Sequence, residues 1–353
     1  MKRLLLAAAL SLSSAQAADL TLRFLDVGQG DAVLVTTPDG KTMLYDAGKG
    51  GKAAELLARY GVKRLDLAVA SHADFDHIGG FLDVVPRFKP RVFLNNGLPS
   101  PTATYTRVLT ALQQVGAQGI VASDRTLKLG NSVSLRVLPP PQSAPKNNQN
   151  ANSVGLILSY GKFRAFLGGD AEPVTTRAWA KTYPELLRGI PVYKALHHGS
   201  RHNDAAEFLA LIAPKVIAIG VGPNNYGHPD PQALELYRKT GAQVLRTDQN
   251  GTITITAKAD GRYTVTAERG SPGRPAPTPP KPPAAPPAPA QGPLLPASPA
   301  YSGPFDPAGA DRDCGDFRTR AEAQAFFLAA GGPDRDPHGL DRDGNGQACE
   351  SLR

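Results

Sequence analysis

The chain has 353 residues, 41% hydrophobic and 20% charged, too long for one small module and too mixed for a coiled coil, a collagen or a disordered chain. At least two folded units are expected. Its charge is uneven: residues 305–353 hold 6 basic and 10 acidic residues, whereas residues 18–270 hold 29 and 21, so the larger part tolerates or attracts polyanions such as nucleic acid or wall polymers.

At the start, Lys2 and Arg3 precede the apolar run Leu4–Leu12, and Ala15-Gln16-Ala17 fits the small-x-small cleavage rule, so residues 1–17 read as an export signal. An uncleaved N-terminal anchor is the alternative. No later segment approaches the roughly 20 apolar residues of a membrane span. The expected protein is therefore exported, whether extracellular, periplasmic or at the cell surface.

Residues 18–270 alternate short apolar runs with amphipathic stretches. Leu20–Leu25, Ala32–Thr36 and Thr42–Tyr45 read as strands, followed by a helix at Ala53–Tyr60, a strand at Leu65–Ala70 and a helix at Gly79–Phe88. A strand at Arg91–Leu94 and a helix at Ala103–Val115 come next, then strands near Ser132–Val137, Val154–Tyr160 and Phe163–Leu167. A helix near Thr175–Lys181, a strand at Val192–Ala195, a helix at Ala205–Leu211 and a strand at Val216–Gly220 continue the alternation. Helix Pro231–Thr240 and strands Gln243–Thr247 and Thr252–Thr256 close the domain. This pattern predicts an α/β or α+β unit with two sheets between outer helices.

Residues 271–304 collapse to Pro, Ala and little else, a composition that buries no core and predicts an extended tether. Both cysteines, Cys314 and Cys349, fall in residues 305–353 and read as one disulfide closing a small unit, with a two-cysteine metal site the weaker alternative.

The chemistry concentrates in the string from Ser71 to Gly80, between a strand and a helix. Residues two apart on an extended loop point the same way, so His72 and Asp74 converge on one ion while Asp76 and His77 face a second. Phe166–Glu172 follows another strand and delivers Asp170, and Ala195–Ser200 follows a third and delivers His197 and His198. Each repeats one design: a strand fixes the backbone and a polar group projects at its end.

Taken in order, the strings Phe24–Ala32, Leu44–Gly48, His72–Gly80, Asn152–Val154, Gly169–Glu172, His197–Ser200 and Asn225–Pro229 resemble the metallo-β-lactamase fold. More narrowly, they resemble the hydrolase domain of ComEC-type competence proteins, over nearly all of Leu20–Thr256. The resemblance implies an αββα sandwich and two divalent ions of the kind that make a nucleophile from water at neutral pH. Carried over, His72 and Asp74 bind the first ion, Asp76, His77 and His198 the second, and Asp170 bridges. Catalysis then falls to Asp76, to His197, which touches the substrate phosphate or supports the ligands and is the alternative to His198 as a ligand, and to His228, whose alternative is simple packing. Asp31, Asp46 and Asn152 stand as supports behind the ligands, and Lys194, Ser200 and Asn225, with Arg201 and His202, as phosphate contacts.

The chain departs from the wider superfamily where Asp74 replaces the usual histidine and Asn152 stands near a missing one. Oxygen donors favour Mn²⁺ or Mg²⁺, with Zn²⁺ the alternative. ComEC-type channels carry membrane spans ahead of this domain and this chain has none, so the expectation is the hydrolase alone.

Near the end, Asp341, Asp343 and Asn345 with Gly346 follow the D-x-[DN]-x-[DN]-G calcium pattern, although Leu352 stands where a standard EF-hand has glutamate. The string resembles the excalibur calcium-binding domain, which implies that Gln347 and Glu350 complete the Ca²⁺ cage. The expected protein is an exported metal-dependent phosphodiesterase, a DNase related to competence and DNA processing, with surface or wall attachment through its last domain. The alternatives are a hydrolase of a cell-wall phosphoester, lactam or lactone, and a non-catalytic surface binding protein.

Overall fold

A computed structural model describes residues 19–270, 301, 303–307, 312–330, 338, 340, 348, 349 and 352. The expected export signal, nearly all of the Pro/Ala-rich segment and the calcium residues Asp341, Asp343, Asn345, Gln347 and Glu350 lie outside the described residues.

The elements run β1 (Leu20–Phe24), β2 (Val33–Thr36), β3 (Thr42–Tyr45), α1 (Lys52–Arg59), β4 (Leu67–Val69), α2 (Phe75–Ile78), α3 (Phe81–Phe88), β5 (Val92–Asn95), α4 (Ala103–Gln114) and β6 (Gln118–Val121). The second half runs β7 (Arg125–Leu129), β8 (Val133–Leu138), β9 (Gly155–Tyr160), β10 (Phe163–Leu167), α5 (Pro173–Thr182), α6 (Pro184–Leu187), β11 (Val192–Lys194), α7 (Ala206–Ile212), β12 (Val216–Ile219), α8 (Pro231–Lys239), β13 (Gln243–Arg246), α9 (Thr247–Asn250), β14 (Ile253–Ala257) and β15 (Tyr263–Ala267). Helix α10 (Arg320–Ala329) belongs to the C-terminal unit.

Among the described residues the strands form two sheets, β15-β14-β1-β2-β3-β4-β5-β6 and β13-β12-β11-β10-β9-β8-β7. Strand alternation sorts their side chains. Val33 and Val35 join Leu20, Leu22 and Phe24 in a core shared with Leu135, Leu156, Leu158 and Ala165 of the other sheet. Leu34 and Leu44 point the other way, onto Leu56 and Leu57 of α1 and Val84 and Val85 of α3. Ile157, Phe166 and Tyr193 of the second sheet pack on Trp179, Phe208 and Tyr237 of the opposite helical layer. Three cores between four layers make the αββα sandwich.

The domain does not close at Thr256: β15 extends the first sheet, pairing antiparallel with β14 from Ile253↔Ala267 to Ala257↔Tyr263. The helix expected at Gly79–Phe88 is α3, and a separate single turn, α2, precedes it. Gly80 has no room for a side chain, since a Cβ there would lie 2.0 Å from Ala47 O, and that close approach ties the two loops together.

In the C-terminal unit Cys314 and Cys349 are disulfide-bonded, with Cα atoms 5.4 Å apart. Phe317, Ala323, Phe326, Phe327, Leu340, Ala348 and Cys349 form its buried cluster. Thr319 caps α10 by accepting from Glu322 N at 3.2 Å. Among the described residues no helix is long and apolar enough to cross a membrane.

Candidate metal centre

Strands β3 and β4 run parallel, as do β10, β11 and β12, so their C-terminal ends open on one rim, where α/β sheets present ligands. Asp46 follows β3, Ser71 and His72 follow β4, Asp170 follows β10, and His197 and His198 follow β11. Asp31 joins them just ahead of β2. The two histidines sit in a tight turn with left-handed φ of 46° and 54°, continued by Gly199 at 83°. Holding two non-glycine residues there costs about 1–2 kcal/mol each, and it turns both imidazoles back toward the rim.

Asp204 braces this turn. Its carboxylate accepts from Leu196 N at 3.1 Å, from Tyr237 Oη at 2.5 Å and from Tyr193 Oη. Burial pushes its pKa up to about 6 against the restraint of the two tyrosine hydroxyls.

Three imidazoles present bare nitrogens to one space. His198 Nδ1 lies 2.7 Å from Gly220 O, an acceptor only, so Nδ1 carries the proton and Nε2 a lone pair. His77 Nδ1 donates to Asp46 Oδ2 at 2.9 Å, with the same result. Ser71 spends its one proton on Asp46 Oδ2 at 2.8 Å, so its oxygen accepts from His72 Nδ1 at 2.9 Å. The Nε2 atoms of His72, His77 and His198 are buried without a hydrogen-bond partner, as is Asp170 Oδ1. Buried polar atoms without partners are costly, and a metal ion is the group that these donors fit.

Asp170 Oδ2 is the hub, 3.1 Å from His77 Nε2, 3.4 Å from His198 Nε2 and 3.7 Å from His197 Nε2. Asp76 spans the same pair, 3.3 Å from His198 Nε2 and 3.9 Å from His77 Nε2. His72 Nε2 faces Asp74 Oδ2 at 3.3 Å, and its ring lies 4.1 Å from that of His77. One ligand atom each from Asp31, His77, Asp170 and His198 falls within 4.8 Å of the others. Burial opposes a charged His77, yet Asp170 and Asp46 hold its pKa well above the ordinary imidazole range, and Asp170 and Asp31 do the same for His198. The pocket is built for added positive charge.

The mouth is defined by exposure. Asp74 is 43% exposed, His197 28% and Asp76 22%, whereas His72, His77, His198 and Asp170 are buried. His228 stands beside His197, ring centroids 5.3 Å apart, and burial with the neighbouring His197 and His198 pushes its pKa down to about 4.

Several expected roles are corrected. Lys194 does not face substrate: it is fully buried, its ammonium paired with Asp31 and donating to Gly169 O at 2.9 Å. Ser200 is buried too, its hydroxyl accepting from His202 N at 3.3 Å. Asn152 supports no histidine, because its amide donates to Pro145 O and Asn148 O at 2.7 Å. Asp31 sits on the Nδ1 edges of His77 and His198, at 3.9 and 3.6 Å, while Asn225 is exposed on the loop before His228. Sequence reasoning misses Ser71 and also Ser153, whose oxygen accepts from Asp170 N at 3.2 Å. The only signal for either is its adjacency to His72 or Asn152.

Gly220 offers a test of this support. A Cβ there would lie 2.3 Å from Asp31 Oδ1, so Gly220→Ala displaces Asp31 and the carbonyl on which His198 depends. Metal affinity is expected to fall about 10–100-fold, read as metal retained per chain after dialysis with the secondary structure checked by circular dichroism. Unchanged retention would show that this support is dispensable.

Residues 25–145 match the model of the metallo-beta-lactamase superfamily and residues 311–350 that of the Excalibur calcium-binding domain. The chain thus carries a metal-dependent hydrolase fold of the metallo-β-lactamase class, joined to an Excalibur domain. Its homologues are competence proteins of the ComEC type. ComE operon protein 3 of Bacillus subtilis is 29% identical over 257 residues, covering 65% of this chain and 32% of that protein. Recombination protein 2 of Haemophilus influenzae is 28% identical, covering 65% and 28%, and Competence protein ComA of Neisseria gonorrhoeae 29% identical, covering 65% and 31%. The chain spans about a third of the length of these relatives.

Proposed function

We propose that this chain is an exported metal-dependent phosphodiesterase that cuts DNA. The observation that carries the reading is the convergence of three bare imidazole nitrogens with the carboxylates of Asp74, Asp76 and Asp170 at one opening. In this reading His72, Asp74, Asp76, His77, His198 and Asp170 would hold the two divalent ions. Mn²⁺ or Mg²⁺ suits the oxygen-rich side and Zn²⁺ the imidazoles. Such a pair supplies a nucleophile from water at neutral pH and clamps the oxygens of a phosphodiester.

The chain's own groups do the rest. Asp46, Ser71 and Gly220 O hold the Nδ1 edges of the three rings, so that Nε2 is the atom each would offer a metal ion in place of a proton. Burial keeps His197 and His228 below the ordinary imidazole range, so both are neutral at neutral pH and each holds one N–H for a phosphate oxygen. DNA as substrate is supported by the competence relatives and by the surplus of 29 basic over 21 acidic residues in residues 18–270. The layout completes the reading: residues 1–17 direct export, 271–304 tether, and 305–353 bind Ca²⁺ through Asp341, Asp343, Asn345, Gln347 and Glu350 and hold the enzyme at the cell surface.

The test is residues 18–353 loaded with Mn²⁺ or Zn²⁺ and given labelled single- and double-stranded DNA, beside an Asp76→Ala, His77→Ala control. Metal-dependent cleavage that falls steeply with salt and is lost in the control is expected. A salt-independent rate on small esters with intact DNA would move the substrate to wall phosphoesters.

A further inference from the structure

Two aromatic rings are exposed beside the loops that carry the centre. Phe75 is 54% exposed and Tyr226 48% exposed, and among the described residues no other Phe, Tyr or Trp is classed as exposed. A single exposed apolar side chain is ordinary; two aromatic ones at the same opening are not. Phe75 begins α2 directly between Asp74 and Asp76, and Asp74 enters the helix in an extended conformation. Tyr226 lies on the loop that carries His228, the two rings 5.9 Å apart. From Tyr226 the rings of His228 and His197 lead inward to Asp170.

Lys49 links the two positions. A Cβ on Gly79 would lie 2.7 Å from Phe75 Cε2 and 2.3 Å from Lys49 O, so ring and carbonyl flank the same glycine. The Lys49 ammonium sits 5.8 Å from the Tyr226 ring centroid, close enough for a cation to hold the ring by its face. Backbone bonds fasten the segment, Ala47 N to His77 O and Gly80 N to Gly48 O, both 2.8 Å. Two exposed π-faces with a fixed ammonium beside a phosphodiester site have one chemical complement: a strand whose bases are unstacked and whose phosphates are reachable. A duplex keeps its base faces inside and offers the rings nothing.

We propose that Phe75, Tyr226 and Lys49 form a base-stacking clamp that selects single-stranded nucleic acid and feeds its backbone to the metal centre, an inference that rests on the nuclease reading of that centre. The rings take two bases and the ammonium a neighbouring phosphate. The clamp sets strand preference, whereas the metal loops perform the cleavage.

The experiment measures binding and cutting separately. Fluorescence anisotropy of the full chain in EDTA compares a labelled oligothymidylate with an abasic strand of the same length and phosphate count. The base-bearing strand is expected to bind about tenfold or more tightly. That preference should vanish in a Phe75→Ala, Tyr226→Ala variant and persist in Tyr226→Phe, with circular dichroism unchanged. Equal binding of the two strands, or a preference that survives the double variant, overturns the clamp. Cleavage of the same oligothymidylate in Mn²⁺ reports on the nuclease reading alone: cutting without base preference removes the clamp and keeps the nuclease, and base preference without cutting does the reverse.

Discussion

Asp170→Asn is expected to lower metal-dependent hydrolysis by about a thousandfold or more, equivalent to about 4 kcal/mol of transition-state stabilisation. The carboxylate stands within 3.1–3.7 Å of three imidazole nitrogens and 3.6 Å from the buried Lys194 ammonium. Burial alone would raise its pKa, but His77, His198 and His197 hold it well below the ordinary carboxylate range, so it is charged at every working pH. Asparagine keeps the shape and removes the charge. Bound metal, counted by elemental analysis beside kcat/KM, should fall with activity. Full metal content with lost activity would make Asp170 a group acting on substrate; full activity would remove it from the centre.

Breaking the Cys314–Cys349 bond is expected to unfold the C-terminal unit and leave residues 19–270 intact. The bond joins residues 35 apart, and closing a loop of that length is worth about 3–4 kcal/mol. The buried cluster it supports has seven members among the described residues, and cores this small rarely supply more than about 3–5 kcal/mol in all. The chain's two cysteines are both in this unit, so reductant acts there selectively. Limited proteolysis with mass spectrometry should show Cys314→Ser, Cys349→Ser cut throughout residues 305–353 at protease levels that leave the larger domain whole. Equal resistance in both forms would mean that the cluster suffices alone.

How much of this is legible in the sequence depends on whether the cause is local. Strands such as Phe163–Leu167 and Thr42–Tyr45 are apolar runs between turn residues, and the structure holds them at those bounds. The edge strand β6 is not legible: Gln118–Val121 is largely exposed and contains a glycine, so no hydrophobic period marks it. For β15 the β-branched alternation of Tyr263–Ala267 is a usable signal, and taking Thr252–Thr256 as the last strand overlooks it. In the centre, His72, Asp74, Asp76 and His77 are legible because they lie within six residues of chain. Lys194 is misread because its type suggests a phosphate contact, while its direction is set by a strand that turns it beneath Asp170 toward Asp31. Asn152 is misread for the same reason, since the loop carbonyls it serves come together only in three dimensions.

The first sheet is finished by the last strands of its domain. β1 lies between β2 and β14, with Leu20 opposite Ala257, and Asp19 is bound by Lys258 at 3.0 Å. During synthesis the earliest strand therefore waits, with one edge bare, until more than 230 further residues have left the ribosome. Such long-range closure is slow to form. It ties completion of the first sheet, and with it the seating of β1, to the last strands of the domain to be made.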